Sequence, residues 1–191
     1  MRLILGFSLA ILAILFGAQL IRRPLKFSLI RLSSLLSPIV IAAILVYWSA
    51  SQYFLWLNSD SPARFLLPPH QDIGYFFYYV FFRFWATYLI SLIIAILFFI
   101  AAKFLNKKYQ ERFFYEEEPY LLAASIFLVG HPGWIFYLLF LLIAALILSL
   151  VIGHRLSRRV SLYYLWIPVA ILSIIVSRWL SALPIVKYLS I

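Results

Sequence analysis

The sequence predicts an all-α fold: a polytopic integral membrane protein of about six transmembrane helices, built as one domain over residues 1–191. Three observations carry that expectation. The chain is 66% hydrophobic and only 12% charged, about half the charge of an ordinary soluble domain. Its apolar runs approach the roughly 20 residues a helix needs to cross a hydrocarbon core. Short basic clusters, rather than domain-sized polar segments, separate those runs. In a bilayer the backbone must satisfy its own hydrogen bonds, and a helix does so locally.

The first run, LILGFSLAILAILFGAQL, covers Leu3 to Leu20. Gly17-Ala18 offers a small-residue cleavage site of the signal-peptide kind. One Arg before the run and RRPLKFSLIR after it reverse the usual flank charges, so the run reads as an uncleaved span. The second span is expected from about Leu35 to Leu57, with Pro38 in its first turn, where proline is tolerated. NSDSPARFLLPPHQDIG then reads as a long polar loop. The third run, Ile73 to Leu105, is longer than a bilayer requires. Its aromatic half, YFFYYVFFRFW, is expected at the interface or tilted, and its second half is the better membrane core. The fourth span is short, Tyr120 to Val129 with a turn more at either end, and GHPG stops it. The fifth covers Trp134 to Ile152, and the sixth about Tyr163 to Leu183.

Charge orients these spans by the positive-inside rule. Arg22, Arg23, Lys26 and Arg31 follow the first span, Lys103, Lys107, Lys108 and Arg112 the third, and Arg155, Arg158 and Arg159 the fifth. These loops hold eleven of the sixteen basic residues. They are expected in the cytoplasm of a multi-pass plasma-membrane protein with both termini outside. The formal charge of +10 therefore predicts contact with the bilayer and its anionic lipids. It does not predict nucleic acid, which needs a basic groove on a soluble domain. Eighteen Phe, thirteen Tyr and six Trp read as interfacial belt and lipid-facing packing. The chain has no cysteine, and His70, His131 and His154 lack metal-ligand spacing, so neither a metal nor another cofactor is expected. His131 in GHPG reads as a turn residue.

Half of the six acidic residues stand together as Glu116, Glu117 and Glu118, directly before the fourth span. As a structural feature, Pro119 at the first helical position makes Glu118 the N-cap, with carboxylates against the positive end of the helix dipole. The stretch EPYLLAASIFLVGHPG also resembles the GD-x-K-L-x-A-A-x-G-x-x-x-G-x-x-G segment of the prepilin peptidases, polytopic aspartic proteases of type IV pilus assembly. Glu118 falls where that family has its second catalytic aspartate, and Leu121, Leu122, Ala123, Ala124 and Gly130 follow in step. The order of spans is similar too. The family's first aspartate stands at the cytoplasmic end of one span, two more spans follow, and the second aspartate opens the next.

The resemblance implies Glu118 as the catalytic candidate and pilin-like membrane segments as partners. Glu116, Glu117, Arg22 and Arg23 are the implied binding residues. The chain departs from the pattern at three places. YEEE replaces the glycine-rich lead-in, Tyr120 stands where a lysine belongs, and Gln19, Leu20, Ile21, Arg22 and Arg23 occupy the place of the first aspartate. An aspartic dyad needs two carboxylates sharing one proton, so the resemblance implies a member degenerate at that pair. It also implies that Arg22 or Arg23 lies near Glu118 as an ion pair. A non-enzymatic membrane scaffold or small transporter subunit is the alternative, because charged machinery inside the spans is scarce.

Overall fold

The computed structural model describes residues 2–21, 26–58, 62–109, 114–153 and 162–180, and these are helical with no strand among them. Seven α-helices follow in order: α1 (Arg2–Ile21), α2 (Phe27–Leu57), α3 (Ile73–Val80), α4 (Ala86–Lys108), α5 (Glu118–Val129), α6 (Gly133–Gly153) and α7 (Trp166–Leu180). A 3-10 turn, Pro62–Leu66, caps the α2–α3 connection, and a π turn, Phe81–Trp85, joins α3 to α4 without a break. Four helical stretches are long and apolar enough to cross a membrane: Leu3–Ile21, Phe27–Leu57, Ile73–Lys108 and Gly133–Val151. Glu118–Val129 and Trp166–Trp179 are shorter apolar helices. The fold is that of an all-α membrane protein; the fourth expected span is a short helix, as its sequence predicts, and the sixth is described from Trp166 to Leu180.

A short helix, α5, is the core. α5 has twelve residues and buries nine of them, packing against α4, α7, α2, α6 and α1. Leu121, Leu122, Ile126, Phe127 and Leu128 join one apolar cluster with Ile4, Leu12 and Leu15 of α1 and Ile167, Ala170 and Ile174 of α7. The burial of Ile4, Leu12 and Leu15 integrates α1 into the bundle. α6 is apolar all round and exposes Leu139, Leu142, Leu146 and Leu150, the surface expected of a helix facing lipid.

Gly130 decides where α5 stops. Its N–H bonds the Ile126 carbonyl at 3.2 Å and its own carbonyl accepts from Trp134 at 2.9 Å, so one residue closes α5 and opens α6. Its φ of 77° and ψ of 168° lie in a region open essentially to glycine alone. An added Cβ would meet nothing within 4 Å, so a substitution there is strained by backbone alone. Gly130→Ala is expected to lower stability by about 1–3 kcal/mol, read from denaturant titration in detergent. An unchanged midpoint would contradict this conformation.

Two expectations for α2 change. The helix starts at Phe27 rather than near Leu35, so Pro38 sits inside it instead of in its first turn. A proline there removes one backbone donor and clashes with the preceding turn. Serines surround the interruption: Ser37 Oγ donates to Ser33 O at 2.6 Å, Ser33 Oγ to Ile30 O at 2.9 Å, and Ser34 Oγ to Arg31 O at 2.8 Å. The carbonyl that Pro38 leaves without its helical donor is that of Ser34, and these bonds go to its neighbours instead.

The aromatic half of the third run continues the helix, so that Ile73–Lys108 is one stretch. α2 and the Ile73–Lys108 stretch are about 46 and 54 Å long at 1.5 Å per residue, against about 30 Å for α1 and α6. The excess forms a second small core from Trp56, Leu67, Phe76 and Val80, with Tyr53 and Tyr79 against it. Trp56 packs edge-on to Phe76 at 5.5 Å, and Trp85 Nε1 donates to Ser49 Oγ at 3.1 Å. Part of the aromatic content thus packs on itself rather than on lipid.

Candidate functional site

Short helices set the depth of the site. α5 and α6 diverge from the shared Gly130 turn, and α5 is about 18 Å long against about 31 Å for α6. Glu118 therefore stops about 13 Å short of the far end of α6, measured along the helices.

The three glutamates part company at that level. Glu116 is exposed, Glu117 half-buried and Glu118 fully buried, at 1% exposure. Neighbouring residues on a helical turn point in different directions, so one apolar environment claims only one of them. Helix α5 begins at Glu118 with Glu117 as its N-cap, one residue earlier than expected. Glu117 offers no side-chain cap, but its carbonyl accepts from Tyr120 and Leu121 at 3.1 Å each. Glu118 is not an N-cap. Its carboxylate reaches back, Oε2 accepting from the Tyr115 N–H at 3.1 Å, while the Glu118 N–H donates to the Tyr115 carbonyl at 3.1 Å. This reciprocal pair ties the Glu118 side chain and backbone to the turn that precedes α5.

Asn106 of α4 holds the approach to α5. Its Nδ2 donates to Phe114 O at 2.7 Å and its Oδ1 accepts from Phe114 N at 2.9 Å. One side chain thereby satisfies both backbone groups of a residue outside any helix. Asn106→Leu leaves both unpaired and is expected to cost about 1–3 kcal/mol per buried group left unsatisfied, discounted because the site is half-exposed. Thermal inactivation of the detergent-solubilised protein would register the loss, and a midpoint equal to wild type would show that water replaces both bonds.

The other large, fully buried polar side chain is Gln19, also 1% exposed. Its Nε2 donates to the Tyr163 carbonyl, just ahead of α7, at 2.8 Å. The Trp166 ring, one turn on, lies 6.2 Å from the Phe114 ring. The result is an arrangement in which Gln19 binds the segment that opens α7, while Trp166 of that helix meets Phe114 beside Tyr115, which bonds Glu118. It brings the end of α1 and the starts of α5 and α7 to one end of the bundle.

Tyr120, which stands in place of the expected motif lysine, has a cation beside it. Lys103 Nζ of α4 donates to the Tyr120 hydroxyl at 3.2 Å and lies 4.9 Å from the Phe99 ring and 5.0 Å from the Tyr120 ring. Phe27 of α2 closes the other side of Tyr120, ring to ring at 5.4 Å.

Arg22 and Arg23 lie outside the described residues, and so does their pairing with Glu118. His154 lies outside them as well. His131 accepts from Trp134 Nε1 at 3.2 Å in the α5–α6 turn, and His70 stacks on Phe65 at 4.9 Å. Among the described residues no three His, Cys, Asp or Glu side chains gather as a metal site. An aromatic groove of about 400 Å³, lined by Phe77, Tyr78, Val80, Phe81 and Trp85, lies toward the opposite end of the bundle and carries no ionisable carboxylate or amine.

Sequence reasoning located Glu118 and placed Gln19 among the five residues that stand where the family has its first aspartate. It missed Asn106, Lys103, Tyr163 and Trp166. A lone amide late in an apolar helix is a readable signal for Asn106, as for Gln19. No sequence signal marks Tyr163, because only its backbone takes part.

No protein-family model, no curated protein and no solved structure matches this chain.

Proposed function

We propose that the chain is a prepilin-peptidase-like protein of the plasma membrane, degenerate at the catalytic pair, that binds hydrophobic pilin-like segments at the cytoplasmic face. In this reading the basic loops are cytoplasmic and both termini outside. The observation that carries it is the burial of Gln19 and Glu118 at one end of the bundle. These are the two positions at which the resemblance puts the family's carboxylates. Lys103 at the Tyr120 hydroxyl adds support, since it supplies a cation where the motif has one.

The chemistry limits the reading to binding. Two carboxylates sharing a proton activate a water, and an amide at position 19 cannot take part in that exchange. Glu118 retains a carboxyl group recessed along the bundle, suited to holding a basic or amine-bearing group beside an apolar segment. A scaffold without ligand is the second reading. It is favoured by the bond from Tyr115 N–H to Glu118 Oε2, which gives the carboxylate a purely structural task.

The test is photocrosslinking and cleavage in membranes with a pilin-like precursor, comparing wild type, Glu118→Gln and a precursor whose segment is scrambled at equal hydropathy. Crosslinking of the native segment by wild type, reduced about tenfold in Glu118→Gln (about 1.4 kcal/mol), with no cleaved product, is the expected result. Equal capture of the scrambled segment would leave the scaffold. A cleaved product that vanishes in Glu118→Gln would mean that a second carboxylate completes the pair.

A further inference from the structure

We infer that a bound water molecule bridges Gln19 and Trp166 where α1 meets α7. Gln19 gives its Nε2–H to the Tyr163 carbonyl at 2.8 Å, and its Oε1 is buried with no hydrogen-bond partner among the described residues. Trp166 is 1% exposed, and its Nε1 is likewise buried without a partner. One atom can only accept and the other can only donate. A water donates to the first and accepts from the second.

The two groups belong to the same joint between α1 and the start of α7. The Tyr163 carbonyl that Gln19 holds lies one turn before Trp166. A helical side chain leans back over the turn N-terminal to its own Cα, which carries the indole toward the level of that carbonyl. Two polar partners meet the minimum for a buried water, and genuinely dry cavities are apolar. The surroundings are polar beyond this pair: Ser125 Oγ points to the Trp166 carbonyl at 3.5 Å, and the Tyr137 hydroxyl is buried nearby on α6, facing Ser125. The α1–α7 joint is then water-mediated inside an otherwise apolar bundle. The inference does not depend on whether Glu118 binds a ligand.

The experiment is nuclear magnetic resonance on the chain labelled with 15N-tryptophan in lipid nanodiscs, where the six tryptophans give six indole resonances. Trp166→Phe assigns the Trp166 resonance. If that variant does not fold, single replacements of Trp48, Trp56, Trp85, Trp134 and Trp179 assign it by elimination. At a pH where indole exchange is slow, the Trp166 N–H is expected to show a dipolar cross-peak to a long-lived water. That cross-peak should disappear in Gln19→Met, or in Gln19→Leu should the former not fold, while the indole stays protected from solvent exchange. Absence of the cross-peak in wild type overturns the inference. So does its persistence, unchanged, after the Gln19 amide is removed.

Discussion

Ile126→Ala is expected to destabilise the bundle by about 2–5 kcal/mol, the range for removing a fully buried aliphatic side chain, while Leu146→Ala leaves stability within about 0.5 kcal/mol. Both residues sit in apolar helices, and by hydropathy alone the two changes are equivalent. The structure separates them: Ile126 is 0% exposed at the centre of α5, whereas Leu146 is 55% exposed on α6. At Ile126 the lost methyl groups leave a cavity lined by other helices. At Leu146 lipid fills the space, and lipid is as apolar as the side chain it replaces. Steric-trap or denaturant unfolding in bicelles measures both. Equal effects at the two positions would mean that α5 faces lipid and that the architecture is wrong.

Gln19→Asp carries the second large effect, a loss of about 3–5 kcal/mol, the scale of an uncompensated buried charge. Aspartate restores the acid that the family resemblance assigns to this position, so it is the natural attempt at repairing a dyad. At position 19 it meets a carbonyl instead. The Tyr163 oxygen takes a hydrogen from Gln19 Nε2 at 2.8 Å, and a carboxylate has none to give. The substitution turns a donor–acceptor pair into two acceptors facing each other out of water. Gln19→Leu should be milder, about 1–3 kcal/mol, because it strands the Tyr163 carbonyl without burying a charge. Heating the solubilised variants and following the surviving monomer by size exclusion gives the ranking. An aspartate variant as stable as wild type would show that the site readily accommodates a second acid, and would reopen the catalytic reading.

These two results bear on function together. If α5 is the core, Glu118 is held by the most constrained helix of the molecule, and its position is set to within the play of a packed interior. A carboxylate so placed is pre-organised for whatever it contacts. If Gln19 is fixed as a hydrogen-bond donor, the site has one acid and one amide by construction. The two side chains are then unsuited to sharing a proton.

Composition made the fold class legible before any coordinate. A chain this apolar has only the bilayer as a consistent solvent, and the bilayer permits helices and closed barrels. Most helix limits were legible too, since α1 and α6 lie within about a residue of the apolar runs that predicted them. The start of α2 was not. Pro38 looked like a helix opening because proline is at home there, whereas the helix already runs from Phe27. The three glutamates were visible as a cluster. Which of them matters was not visible, because consecutive side chains diverge and only a surrounding bundle distinguishes them.

The sequence by itself determined the solvent of this protein, its helical class, the approximate number of its helices and the position of its acidic cluster. Those properties follow from local composition and period, which the chain carries wherever it is. The tertiary structure alone decided that the twelve-residue α5 is the centre, that Glu118 is buried while Glu116 is not, and that Gln19 answers a carbonyl 144 residues away. Such outcomes depend on which helix faces lie against one another. Where nearly every face is apolar, hydropathy carries no information to distinguish the face that packs on protein from the face that packs on lipid.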